Sequence, residues 1–477
     1  MIRAAYQQGE EAVIALVETL LKAQAEAIRK LETRLQELED QTSRDSQNSS
    51  RPPSGDGFKK RTQSLRTKSG RQSGGQTGHP GSTLEWVEEP DEIEQHLVET
   101  CRVCGASLAE KPVLEWQCAQ VQDLAPIEVV VREHQAAVKQ CDCCGQRNQA
   151  AFPVGVTNRV QYGFRLRSLM VYLMDYQLLL SARVQELLSD AFGCSLSEGT
   201  LYQARQSCFE SLAEVESGIF ESLQQSEVAH FDETGLRVNR KLMWLHVAST
   251  QALTYYLIHP KRGKEAMDAM DILPHFKGTS VHDGWRSYAG YDGVHALCNA
   301  HHLRELRFLV ERYEQGWASE MMTLLVSMKT ALEQAQAQGQ TQLSTHQITQ
   351  FERQYQDLIE IGLKLNPPAA PAANARGRPK QSPARNLLER LDVHQAEVLR
   401  FIHDFQVPFD NNQAERDIRM MKLKQKISGG FRSQDGAQIF CRIRGYLSTL
   451  KKQGFHLLDA LEQLFLGLPV SLHLQPE

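Results

Sequence analysis

The chain has 477 residues, 41% of them hydrophobic and 23% charged, with a formal charge of −5. That length exceeds what one core organises and implies about two to four domains. Apolar runs such as "LMVYLMDYQLLL" are broken by Asp175 and Gln177 and are too short to span a bilayer. No charged-then-apolar leader opens the sequence, so a cytoplasmic protein without membrane contact is expected. The mild net acidity weighs against a nucleic-acid partner, but the local distribution reverses that: residues 44–79 carry eight Lys/Arg against two acids, and residues 416–452 carry ten against two.

Residues 1–42 contain a heptad seam: Ile14, Val17, Leu21, Gln24, Ile28, Leu31, Leu35 and Leu38 occupy its core seats. The single polar seat, Gln24, suits a register-setting role, and a coiled coil that makes the protein a homo-oligomer is expected. Residues 43–83 are Ser/Gly/Pro-rich and basic and cannot bury a core. They read as a flexible linker that touches phosphates without reading bases, or as a plain solvated one.

Residues 84–156 hold "CRVCG" and "CDCCG" among short strand-like runs such as "IEVVVREHQ". Two cysteines with two residues between them can bite one tetrahedral ion, and the following Gly allows a turn that points N–H groups at the sulfurs. Cys101, Cys104, Cys141 and Cys144 are therefore expected to hold one structural Zn²⁺, with Cys143 and Cys118 outside the pattern. Residues 157–222 read as helical. "SARVQELLSDAFGCSLSEGTLYQARQS" has the cadence of helix, Gly turn, helix, with the second helix starting between Ser197 and Gly199. It fits a DNA-binding helix-turn-helix and an ordinary αα-hairpin equally well.

From residue 223 to 300 the pattern turns to strands, "EVAHFDETGLRV", "LMWLHVAS" and "LTYYLIH", then a helix over 263–273, "KGTSVHDGW" and "HALCNAHH". This is a mixed α/β unit. Residues 301–405 return to helix around the basic loop "PPAAPAANARGRPKQSPAR", and 406–477 close the chain with three further helical stretches. Asp232 and Asp283 read as strand-end residues, each alone more readily a turn residue than a ligand. If Asn412 is the N-cap, Glu415 sits at N3 as a capping residue or pairs with Arg419, while Asp417 faces the helix dipole. Taken together, Asp232, Asp283 and Glu415 offer the carboxylate oxygens that two Mg²⁺ (or Mn²⁺) ions prefer, about 3.5–4 Å apart, for phosphodiester hydrolysis or transesterification. Arg416, Arg419, Lys422, Lys424 and Lys426 would then hold the backbone of the nucleic acid.

These motifs, from the zipper and "NSSRPPSGDG" through both knuckles, "FDETG", "HDGW" and "CNAHHLRELR" to "FDNNQAER", resemble the bacterial insertion sequence 66 family of DDE transposases, large subunit. The resemblance implies an RNase H-like core with a catalytic triad of Asp232, Asp283 and Glu415. The 132 positions between the last two imply a helical insertion. It also implies cleavage of element ends to give 3′-OH groups, strand transfer into double-stranded target DNA, nucleoid association, and accessory proteins of the same element. Cys298 and His301 in "CNAHH" either bind metal or brace the insertion. "RGRPK" resembles an AT-hook core, with Arg376, Arg378 and Lys380 entering a minor groove. The alternative is a DNA-binding regulator whose RNase H-like core is silent.

Overall fold

The computed structural model describes residues 6–7, 9–45, 48–49, 84–124, 128–369 and 379–474. The basic linker falls almost wholly outside these residues, as do Arg376 and Arg378.

Helix α1 (Glu10–Ser43) carries Glu10 and Glu11 in its first turn, where the dipole favours acids, and buries none of its residues. The apolar seats of its seam stay 45–70% exposed. Its C-terminal end reaches the distant helical insertion, where Tyr313 donates to Asp40 at 2.6 Å and Arg312 pairs with Glu39 at 2.5 Å.

In residues 84–156 the described strands are one short antiparallel pair, β1 (Val138–Gln140) and β2 (Arg147–Gln149). The Val-rich run at 127–135 does not form a strand over its described residues. Val130 and Val131 are 81% and 91% exposed, and among the described residues no strand pairs with them.

Helix α2 (Phe164–Val171) runs into a π turn (Tyr172–Tyr176), followed by α3 (Ser181–Phe192), α4 (Glu198–Ser211) and α5 (Ala213–Gln224). The turn between α3 and α4 uses Gly193 at φ 63° as a left-handed cap, and Ser197 caps α4 by accepting the Thr200 N–H. Arg205, the one cation of α4, is buried against Asp175, so this helix offers no exposed cation to a phosphate.

The sheet comes next: β3 (Val228–Val238), β4 (Lys241–Ser249), β5 (Thr254–His259), helix α6 (Lys264–Met270), β6 (Thr279–His282) and β7 (Val294–Leu297). The order across it is β5-β4-β3-β6-β7, antiparallel on the β5 side and parallel on the β7 side. Asn239 and Arg240, both at positive φ, make the two-residue β3–β4 turn. The insertion follows: α7 (Asn299–Tyr313), α8 (Gly316–Ala337), α9 (Thr345–Leu365), α10 (Pro383–Val393), α11 (Gln395–Val398) and α12 (Arg400–His403). It encloses a core of its own around Trp317, Met321, Leu325 and Tyr355. Finally α13 (Asn412–Ser428) and α14 (Gln434–Lys452) return to the sheet, and α15 (Leu457–Phe465) packs with α2 and α4.

Strand alternation sets the faces. Leu236 and Val238 of β3 pack under α13, whereas Ala229 and Phe231 pack with α5 and α6. His230, Asp232 and Thr234 therefore share the α13 face, and Glu233 points to the other. Among the described residues, no helix is long and apolar enough to cross a membrane.

Candidate active site

Asp232 is the fifth residue of an eleven-residue strand rather than the last of a short one. What ends near it is the parallel ladder: β3 pairs with β6 only through His230, while its pairing with β4 continues to Val238. Beyond that point no described strand pairs with this side of β3, until Val238 bridges Phe431. Asp283 immediately follows β6, so the two aspartates flank the place where the ladder stops. Asp283 also serves its turn, with Oδ1 accepting the Trp285 N–H at 2.8 Å next to Gly284 at φ 82°.

Glu415 arrives from α13. That helix starts at Asn412, with Asn411 as its N-cap, so Glu415 lies at the fourth helical position instead of capping at N3. Its partner is neither the helix start nor Arg419. Arg304 of α7 pairs with its Oε1 at 3.3 Å, and His301 Nδ1 stands 4.0 Å from the same oxygen.

Asn411 fixes this approach. Its Oδ1 accepts from His230 Nδ1 at 2.8 Å and its Nδ2 donates to the Phe231 carbonyl at 2.8 Å, while its own N–H donates to Cys298 Sγ at 3.1 Å. One buried amide thus ties β3, the end of β7 and the start of α13 together.

Asp232 senses the other two acids. Burial, followed by the negative charges of Glu233, Asp283 and Glu415, holds the Asp232 carboxyl well above the usual carboxylate range. Glu233 is satisfied on the opposite face, where Arg262 contributes at 2.8 Å and the Tyr288 hydroxyl donates at 2.7 Å. Arg262 in turn lies over the rings of Trp285 and Trp244, 4.1 and 5.1 Å from their centroids.

The basic tract divides. Arg416, Arg419 and Lys426 are exposed along α13. Lys422 donates to the Gly235 carbonyl at 3.1 Å and feels the Asp232 charge. Lys424 lies over Phe431 and Phe440, and burial lowers its pKa to about 8. Asp417 is not a dipole acid: it pairs with Lys452 of α14 at 2.8 Å. Lys380, at the edge of the basic loop, pairs with Glu37 of α1 at 2.6 Å.

Both knuckles form as turns. Gly105 and Gly145 adopt φ 72° and 69°, and each donates its N–H to the first cysteine's carbonyl. The N–H groups of Cys104 and Val103 lower the pKa of Cys101, and those of Cys144 and Cys143 do the same for Cys141. Cys101 and Cys104 touch each other, as do Cys141 and Cys144. The cluster of three metal-capable side chains among the described residues lies elsewhere, at Cys298, His301 and Glu415.

The profile of the Transposase IS66 family matches residues 159–439, more than half of the chain and all three acids. The chain belongs to the IS66 family of transposases. A second profile, described as a family of unknown function (DUF6444), matches residues 3–85. The uncharacterized protein y4jO of Sinorhizobium fredii (strain NBRC 101917 / NGR234) is 37% identical over 68 residues, 14% of this chain and 21% of that protein. The chain thus spans about a fifth of that relative's length. Of the residues at this candidate site in the IS66-family chain, sequence reasoning singled out Asp232, Asp283 and Glu415 but not Asn411, Arg304, Arg262 or Tyr288. Each of these four works through a partner distant in sequence, and only the doubled Asn of "DNNQ" stood out locally.

Proposed function

We propose that this IS66-family transposase cuts the ends of a mobile element to expose 3′-OH groups and joins them to target DNA, with Asp232, Asp283 and Glu415 as its catalytic acids. The observation that carries this reading is the Asp232 carboxyl, half-buried on the central strand and raised in pKa first by desolvation and then by the charges of Glu233, Asp283 and Glu415. Carboxylates whose charges reach a partly desolvated neighbour of the same sign call for a cation. The donors are hard carboxylate oxygens, which fits Mg²⁺ or Mn²⁺, and Asp232, Asp283 and Glu415 would hold two such ions. When bound, the ions supply activation of the attacking oxygen and stabilisation of the leaving one. The five-stranded mixed sheet, with Asp232 on its central strand and Asp283 just past the neighbouring parallel strand, supports the RNase H-like reading.

The chain's own residues have separate tasks. Asn411 orients α13 so that Glu415 faces the sheet, and Arg304 neutralises Glu415 until a cation replaces it. Arg416, Arg419 and Lys426 line an exposed helix face suited to phosphates, with Lys422 nearer the acids. The exposed seam of α1 supports self-association, which would bring two element ends together. Zinc at Cys101, Cys104, Cys141 and Cys144, minor-groove contact by Arg376, Arg378 and Lys380, and accessory proteins of the same element complete the proposal.

Asp232→Asn tests it. Nicking of DNA that carries element ends should fall at least about 10³-fold, the several kcal/mol that bound metal contributes, while DNA binding persists. Fe²⁺-directed cleavage of the protein's own backbone near residues 283 and 415 should fade in the same variant. Unchanged nicking would remove Asp232 from the mechanism.

A further inference from the structure

Cys298, His301 and Glu415 bring a sulfur, a ring nitrogen and a carboxylate oxygen within 4.8 Å of one another. We propose that these three side chains form a binding site for a thiophilic divalent cation of the zinc class, and that filling it withdraws Glu415 from Asp232 and Asp283. The withdrawal, though not the binding, rests on the catalytic role proposed for Glu415.

Backbone groups hold the sulfur in place. Cys298 is the N-cap of the fifteen-residue helix α7, and its Sγ accepts the N–H groups of Asn411, at 3.1 Å, and His301. Burial pushes the Cys298 thiol up to about 12, while these backbone donors are the outer partners that orient a metal-bound sulfur.

His301 supplies the second observation. Its Nδ1 is buried and has no hydrogen-bond partner. Its neighbour His302, buried in the same helix, engages Asn299 Oδ1 through Nδ1 at 3.1 Å, and Asn299 in turn donates to the Val398 carbonyl. A bracing histidine is expected to be satisfied in that way, because buried polar atoms as a rule are. The His301 Nδ1–Glu415 Oε1 distance of 4.0 Å is too long for a hydrogen bond. Two ligands of one tetrahedral ion stand roughly 3.3–3.6 Å apart, so a small side-chain rotation brings both into coordination.

Arg304 occupies the cation's electrostatic place. Its guanidinium meets Glu415 at 3.3 Å, a long contact that an ion can displace. The thiolate sets the selectivity: sulfur with imidazole favours zinc-class ions over Mg²⁺, which selects oxygen. Glu415 is thus shared between two sites with different donor sets. An ion held with Cys298 and His301 keeps that carboxylate on the α7 side.

Co²⁺ is the probe, added to the metal-free full-length chain and read by bound-ion count and thiolate-to-cobalt charge-transfer absorbance. The knuckle cysteines serve as an internal reference common to all proteins tested. Cys298→Ser and His301→Ala should each bind one ion fewer per chain than the parent, with Cys298→Ser also losing part of the absorbance. Equal ion counts in parent and both variants would overturn the site. His301→Ala removes an unpartnered nitrogen, so it stays informative even where Cys298→Ser misfolds. With Mg²⁺ in excess, added Zn²⁺ should depress nicking by the parent at least about fivefold more than by His301→Ala, the lower end of ordinary site-to-site coupling. Equal depression would overturn the withdrawal of Glu415. A parent that nicks nothing, with or without Zn²⁺, would instead sink the transposase chemistry proposed above and leave the ion count to decide this site.

Discussion

The knuckle region and the sheet-bearing body of the molecule are held together by different means. Between 84 and 156 no described residue is buried, and Val103 and Leu114 are each 97% exposed. In the body, Val184, Leu188, Leu201 and Leu223 are fully buried, and the sheet is covered on both faces. A segment without a core cannot offset the entropy of ordering by apolar burial and needs a cross-link or an ion. The body draws on packing, and on a few buried polar contacts that become liabilities once broken. Perturbations should therefore separate the two regions cleanly.

The largest effect on the body is expected from Asp175→Ala. Asp175 is fully buried in the π turn after α2 and accepts both Nε and Nη2 of Arg205 at 2.7 Å. Arg444 donates to the carbonyl of the same residue, so that turn is where α2, α4 and α14 meet. Without the carboxylate, Arg205 remains as a buried and unpaired charge, which costs about 3–5 kcal/mol. Denaturant unfolding would read this, with the reactivity of the knuckle thiols unchanged. A loss below about 1 kcal/mol would show that Arg205 reaches water.

Acid should come next. His246 is 2% exposed, and burial lowers its pKa to about 4. The unfolded chain binds that proton near pH 6.5, so between about 6.5 and 4 it holds more protons than the folded one. Stability is then fully present above about 6.5 and falls as the pH drops, by up to about 3 kcal/mol for this group. Unfolding midpoints measured across that window should slope down toward acid, and His246→Gln should flatten the slope. An unaltered slope would assign the acid sensitivity to other groups.

How far each region was legible in the sequence follows from the same contrast. Helix and strand periodicity recovered β3 to β7, α6 and the helical insertion, because each has a buried face that repeats at its own period. The Val-rich run at 127–135 has the same composition, but its described residues pair with no strand and form none. Asp232, Asp283 and Glu415 stood out by residue type and spacing. Their fixings did not: Arg304 meets Glu415 across 111 residues, and Asn411 meets His230 across 181. Pairings at that separation are made by topology. No local pattern distinguishes an asparagine that caps a helix from one that ties a strand to it.

The smallest effect on the body should come from stripping thiophilic metal off the knuckles. The turns at Gly105 and Gly145 and the strand pair β1–β2 provide backbone order but no buried side chain. If an ion at Cys101, Cys104, Cys141 and Cys144 is what orders this region, a strong chelator should make all four thiols react rapidly with an alkylating agent. It should also abolish amide protection from 84 to 156, since binding and ordering are one event in such modules. The body shares no core with those residues, so its unfolding free energy should move by less than about 0.5 kcal/mol, the additivity expected of distant sites. A larger shift would mean that the knuckles pack on the body once loaded, and the division into two regions would then hold only for the metal-free chain.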